Sequence, residues 1–381
     1  MSAPRLSTSD LVGPVLIFLG GFLLAVALAL PTLFVDNLRT IPLSTDVTTT
    51  APSTTDSENA ADPPTARVLD RCSLTEPSAR VVPADLTRQQ RFVAVQPSDA
   101  DRVTLQAGTS IRIDRLTIDG RTVDPTAPRP GSTRIPAGET ACTDPTVSAV
   151  RDRVTLDRST ALPDLAGGAN GQPGSSEIQY DSGAAPIHAP DRRGYTYVLP
   201  FDTSSSDHLF FDVTTRRTVP LRFAEETTVH GHDAARFIAD VPDTDLHAIG
   251  NGDAQSTPPT IITRPASWFG VAGVDATREL TATLHHSGRW ELAVDTATGT
   301  ILDERITVLE EYRFIDTSLP DHRVTYLSAT FAYDDKSQRA QVRRATALAS
   351  PITVWGRVIP IIAAIAGVGA IVAGLRPWRR R

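Results

Sequence analysis

Side chains able to do chemistry are thinly spread in this chain. His230 and His232, in VHGHD, are spaced to put two imidazoles on one face of a strand. Two imidazoles are too few for a zinc site, and a turn at Gly231 is the competing reading. His285 and His286 are adjacent, so a strand would send them to opposite faces. Asp99/Asp101 and Asp243/Asp245 form Asp-x-Asp pairs. Such pairs hold a divalent ion in nucleotide-sugar glycosyltransferases, but a chain this rich in Asp yields them by chance. No Gly-x-Ser-x-Gly elbow occurs, and no cysteine and histidine suggest a nucleophile with its base. The Gly-rich run GGANGQPGSS follows no strand and opens no helix, so it lacks the context of a phosphate loop. The expectation is a protein with no metal, no cofactor and no catalytic residue.

Three further groups stand out. Asp-x-x-Thr follows an apolar run at Asp119, Asp157, Asp212 and Asp295, and another copy, at Asp46, lies in a polar stretch. Asp accepts from backbone N–H groups two residues on, so the four are expected to form turns. Tyr195, Tyr197, Phe201, Phe210 and Phe211 are the densest aromatic group. They are a candidate groove for an acyl chain or a sugar, with ordinary sheet core as the alternative. Cys72 and Cys142 are the two cysteines. In an oxidising compartment such a pair reads as a disulfide; two buried thiols is the other reading.

The elements that must position these groups are mostly strands. RVTLQAGTSIRIDRLTIDGRTVD alternates and carries Asp119-Gly120, a hairpin signal. GYTYVLPFD, HLFFDV, RELTATLHHSGRWELAVD, GTILDERITVLEEYRF and VTYLSATFAYD are also strand-like, with Ser287-Gly288 and Thr298-Gly299 as further turns. DKSQRAQVRRATALAS has helix formers and no turn residues. Residues 46–65, DVTTTAPSTTDSENAADPPT, carry little that could be buried and read as a linker.

Two uncharged apolar stretches flank this middle, at 11–35 and 358–375. About 20 apolar residues cross a bilayer. The second reaches that length with ITVW before it, Arg357 snorkelling to the interface. The first is longer than a signal-peptide core, although AVA and ALA resemble cleavage sites. Arg376, Arg379, Arg380 and Arg381 follow the second stretch and assign that end to the cytoplasm. The partition is a cytoplasmic tail 1–10, a transmembrane helix 11–35, a flexible linker 36–65, an extracytoplasmic β domain 66–335, a connecting helix 336–352, a transmembrane helix 353–375 and a basic cytoplasmic tail 376–381. Both termini would be cytoplasmic in the plasma membrane.

The chain carries a formal charge of -7, and the basic tail leaves its middle more acidic still. That disfavours nucleic acid as a partner. Lys336 is the one lysine among 37 basic residues, a bias of GC-rich genomes.

Several blocks resemble a family of actinobacterial two-span envelope proteins. They are Tyr197 to Asp202, Phe211-Asp212, Val229 to Gly231, Phe237 to Pro242, VRDRVTLDRST and WELAVDTATGTILDE, with the paired terminal spans. That family is a domain of unknown function also labelled PorA-like porin. It includes LmcA-like proteins linked to lipomannan and lipoarabinomannan maturation. The resemblance implies a mainly β fold: an elongated antiparallel β-barrel or curled-sheet ectodomain between two transmembrane helices. It implies a non-catalytic envelope assembly factor whose partners are the lipid bilayer, a lipoglycan precursor or a membrane glycosyltransferase; the alternatives are a membrane-tethered protein-binding scaffold for envelope glycosyltransferases and, less favoured, an extracytoplasmic enzyme. The porin label itself is not expected to fit, because an outer-membrane barrel needs many lipid-facing strands.

Overall fold

The computed structural model describes every residue except 1–7, 34, 55–65, 127–143, 167–172, 181–182, 320 and 376–381. The chain divides into two units. One is Ile41–Val342; the other joins the two ends, Met1–Thr40 and Arg343–Arg381.

The larger unit is mainly β. Its strands are β1 (Asp46–Thr54), β2 (Arg67–Leu69), β3 (Val81–Val95), β4 (Arg102–Ile118), β5 (Arg121–Val123), β6 (Thr146–Asp157), β7 (Ser176–Gln179) and β8 (Ile187–His188). They continue as β9 (His208–Asp212), β10 (Arg217–Val229), β11 (His232–Asp245), β12 (Ile261–Pro265), β13 (Glu279–Asp295), β14 (Thr300–Phe314) and β15 (Arg323–Ala332). All lie in one sheet with the main order β8-β7-β6-β4-β3-β1-β15-β14-β13-β11-β10-β9. Their pairings are antiparallel. Alternation fixes the register: on β3, Val82, Ala84, Leu86 and Phe92 are buried, while Gln89 and Arg91 face out.

The sheet is curled around one apolar core. Among the described residues no ladder joins its two edges, which meet through side chains and an intervening segment. Ile178 of β7 and Ala189 pack on Phe211 of β9, and the Tyr180 hydroxyl donates to Val213 O at 2.6 Å. Residues 189–199 form a strap along this seam. Tyr195 bridges Phe210, and Leu199 N donates to Gly299 O at 3.0 Å. Glycine is required where the strap presses closest: a Cβ on Gly299 would lie 2.0 Å from Leu199 O. The sheet is therefore curled and open in its hydrogen bonding, the second of the two forms expected.

Three sequence expectations are corrected. Residues 46–54 are not linker but β1, a strand in the middle of the sheet between β3 and β15. Val47, Thr49 and Ala51 are buried in alternation, and β-branched Thr suits a ladder despite its polarity. The rest of the expected linker, 55–65, lies outside the described residues. GYTYVLPFD is strap, not strand, since Pro200 and the close approach at Gly194 break a ladder. Ser287-Gly288 is not a turn: β13 runs through it, with Gly288 opposite Val308.

The smaller unit contains α1 (Thr8–Leu33). After the four-residue α2 (Ala266–Phe269) of the β unit come α3 (Asp335–Thr353), a π-helical turn at Val354–Val358, and α4 (Ile359–Leu375). The stretches Leu11–Leu33 and Asp335–Leu375 include helices long and apolar enough to cross a membrane. α1 and α4 pack through glycines seven apart on each helix, Gly13 and Gly20 against Gly367 and Gly374. Lipid tails supply no hydrophobic drive to pair helices, so close backbone approach takes that role. A Cβ on Gly20 would lie 2.5 Å from Gly367 O, whereas one on Gly21 meets nothing within 4 Å. Gly20→Ala is expected to destabilise the full chain in detergent by about 1–3 kcal/mol through overpacking. Gly21→Ala is expected to be neutral or mildly stabilising, and denaturant titration of both variants checks this. Equal behaviour of the two would disprove the packing argument.

Candidate functional site

The inward positions of the strands are apolar with a few polar interruptions. Arg88 and Gln90 on β3, Asp152 on β6, His286 on β13, and Glu304 and Glu310 on β14 take places that the alternation reserves for core residues. A buried charge needs a partner, and each of these charged groups has one. Arg88 Nη1 donates to Glu304 Oε1 at 2.7 Å, with its guanidinium 5.3 Å from the Trp290 ring centre. His286 Nδ1 lies 2.9 Å from Glu310 Oε1. Arg192 Nη1 donates to Asp152 Oδ1 at 2.7 Å, and the Tyr197 hydroxyl donates to Asp152 Oδ2 at 2.6 Å.

Burial and charge compete at these groups. Burial pushes the Glu304 carboxyl up, and the Arg88 charge only partly offsets it. Burial also pushes the Tyr197 phenol well above its ordinary range, and the Asp152 charge adds to that. At His286 burial acts downward, but the Glu310 hydrogen bond and charge, with Asp212 and Asp243, make the net shift upward. A histidine whose folded pKa is raised contributes stability below its unfolded pKa of about 6.5 and loses it as pH rises through the folded value. Urea unfolding across a pH series is expected to show that loss as pH rises above about 6.5. Glu310→Gln should flatten this component; an unchanged slope would mean that another group carries it.

Inside the curl lies a cavity of about 110 Å³. Its walls bring together Phe210, Phe211, Trp290, Val308, His286 and Glu310 from β9, β13 and β14. Arg88, Thr109, Tyr197 and Asn251 also line it, from β3, β4, the strap and the β11–β12 loop. A second, more open concavity of about 700 Å³ adjoins it and shares Thr109, Ala149, Val150, Tyr180 and Thr257. The smaller space suits a fragment of a few heavy atoms; the larger is within the range of small-molecule sites.

The aromatic group divides. Tyr197, Phe210 and Phe211 line the cavity. Tyr195 is a core residue that stacks edge-on with His208 at 5.6 Å, and Phe201 is half-buried in a turn. Asp157 Oδ1 accepts from the amides and hydroxyls of Ser159 and Thr160. Asp212 Oδ2 accepts from Thr215 N and Oγ1 at 2.7 and 2.8 Å between β9 and β10. Asp295 Oδ2 accepts from Thr298 Oγ1 at 2.5 Å between β13 and β14. Asp119 sits at φ 50° beside Gly120 at φ 73°, turning β4 into β5. The copy at Asp46 opens a strand. Asp212 both turns the chain and faces the cavity.

His230 and Gly231, both at positive φ, turn β10 into β11. His230 Nε2 lies 3.4 Å from Asp335, and His232 Nε2 lies 3.5 Å from Asp295. Among the described residues no cluster of three His, Cys, Asp or Glu could hold a metal. Cys72 is buried, and no free cysteine occurs among the described residues. Cys142, Arg376, Arg379, Arg380 and Arg381 lie outside them. Glu310, Arg88 and Asp152 were not singled out from sequence, although a charge in the apolar phase of an alternating strand is a usable signal.

A family model described as "Porin PorA" matches residues 12–376. The chain belongs to the Porin PorA family. Among its relatives is a Porin PorA of Corynebacterium amycolatum, 25% identical, with 96% of this chain and 97% of that protein aligned. Another is a Porin PorA of Corynebacterium resistens, 23% identical over 96% of this chain and 95% of that protein. The family assignment spans both apolar helices and the whole curled sheet, so the cavity lies within the family's common length.

Proposed function

We propose that the β unit is a non-catalytic binding domain of the cell envelope. In this reading it takes a lipid or glycolipid intermediate, of lipomannan or lipoarabinomannan type, at the outer face of the plasma membrane. The observation that carries it is the largely apolar cavity opening beside a larger concavity, in a sheet whose chain continues at both ends into apolar helices. Tethering would hold the concavity near lipid-borne precursors and raise its effective concentration there. The lipoglycan class comes from the family resemblance, and the outward orientation from the basic C-terminal tail.

The relatives are named porins, but strand polarity here favours an aqueous exterior. Outward positions include Gln89 and Arg91 on β3, Arg289 on β13 and Thr307 on β14, while the inner face is apolar. A lipid-embedded barrel has the reverse arrangement, an apolar band outside and a polar lumen.

The test uses the full chain, excised from its membrane in polymer discs and analysed by native mass spectrometry. Loosely held lipid is shed on activation; a lipid seated across the cavity and the adjoining concavity is expected to be retained. Gly288 lines the cavity, and a Cβ there makes ordinary contacts at 3.4 Å or more. Gly288→Leu is therefore expected to fill the space and abolish retention. If the wild-type chain retains nothing, the binding reading fails.

A further inference from the structure

Among the described residues, one buried side-chain acceptor lining the cavity has no donor. Glu310 is 5% exposed and lines the cavity. Its Oε1 lies against His286 Nδ1 at 2.9 Å, while among the described residues no group donates to its buried Oε2. An ionised carboxylate is acceptor only, with room for several donors, and an unsatisfied buried acceptor costs about 1–3 kcal/mol. Such a group is retained where a ligand completes it.

The neighbouring charges narrow the ligand's class. Arg88 is already paired with Glu304, and His286 with Glu310. Asp212 Oδ2 already accepts from Thr215. An anionic ligand would meet the Asp212 and Glu310 carboxylates and find no unpaired cation among the described lining residues. A hydroxyl needs none: it donates to a carboxylate and still accepts from a neighbouring donor.

We propose that Glu310 is the specificity-determining residue of the cavity, its Oε2 accepting a hydrogen bond from a non-anionic, hydroxyl-bearing ligand of sugar or polyol type. This rests on the reading of the cavity as a binding site. The hydroxyl could belong to a lipid headgroup or to a free polyol.

The experiment uses the full chain in phosphatidylcholine nanodiscs and two photo-crosslinking probes with the same diazirine-labelled acyl chain. One probe is a monoacylglycerol, with two free hydroxyls; the other is the methyl ester, with none. Labelling is mapped to the β13 and β14 peptides. The monoacylglycerol is expected to label the wild type at least about tenfold more than the ester, since a hydrogen bond to a charged group is worth that much or more. Glu310→Gln, which keeps an acceptor for His286, is expected to bring the two probes together. Gly288→Leu should remove both signals. Competition by excess methyl glucoside would show that a free polyol suffices; its failure would assign the hydroxyl to a headgroup.

Equal labelling of the wild type by both probes would overturn the hydroxyl inference while leaving the binding reading standing. That comparison requires no variant, so it holds even if Glu310→Gln folds poorly. A preference that persists in a folded Glu310→Gln would overturn the role of Glu310. Absence of β13 and β14 labelling by either probe would sink both readings.

Discussion

A soluble chain spanning 41–342 folds cooperatively, whereas one spanning 66–335 does not. This is the expected outcome of circular dichroism and urea titration on the two fragments. The shorter fragment follows the boundaries that composition suggests and deletes β1. That strand runs from Asp46 opposite Val93 to Pro52 opposite Thr87 on one side, and reaches Phe331 and Thr330 on the other. Its removal uncovers two strand edges in the middle of the sheet, a template for aggregation. It also removes buried Val47, Thr49 and Ala51. Thr50 is lost too; its N–H donates to Ser337 Oγ at 2.9 Å and its hydroxyl to Asp334 Oδ2 at 2.9 Å. Ending at 335 discards the buried Ser337 and Gln341 of α3 as well. Ladder bonds at about 1 kcal/mol each, with the lost apolar burial, total on the order of 10 kcal/mol. A whole domain is stable by only about 5–15 kcal/mol. Cooperative folding of the 66–335 fragment would show that β1 is dispensable.

Asp152→Ala should be the most damaging single substitution at the seam. Asp152 and Arg192 are each 1% exposed at the side chain, 2.7 Å apart. Arg192 also lies 4.4 Å above the Phe211 ring and donates to Thr196 Oγ1 at 3.0 Å. Burial acts to lower the Arg192 pKa, but the Asp152 charge and hydrogen bond reverse it, so the guanidinium stays charged. Removing the carboxylate leaves that charge buried without its counter-ion, at about 3–5 kcal/mol. It also strips the acceptor from the Tyr197 hydroxyl, at about 1–3 kcal/mol more. The expected result is a melting temperature lower by roughly 10 °C or more. Protease cutting within 189–199 should rise, because Asp152 holds both Arg192 and Tyr197 of the strap. Asp152→Asn keeps an acceptor and should fall between. A wild-type melting curve for Asp152→Ala would show that the strap is held by its backbone contacts alone.

Much of this protein was legible in its sequence. The period-two alternation of β3, β4, β13 and β14 announced a sheet with one buried face, because successive strand side chains point to opposite faces. The two uncharged stretches announced helices long enough to cross a bilayer. His285 and His286 were assigned to opposite faces on the same ground, and they are: His285 lies outward against Asp243 at 3.1 Å, His286 inward against Glu310. Local rules failed where the deciding partner is remote in sequence. β1 looked like linker because its Thr-rich composition carries little apolar content; β3 and β15, over 30 and 270 residues away, make it a central strand. The strap looked like a strand because its aromatics are strand formers, yet Asp152 and the β9 edge settle its path. The site followed the same division. That a charge sits in the apolar phase at Arg88, Asp152, Glu304 and Glu310 is written in the chain. Which charge meets which, and that one carboxylate oxygen is left over beside a cavity, is decided only when the curl of the sheet brings β3, β6, β13 and β14 around one interior.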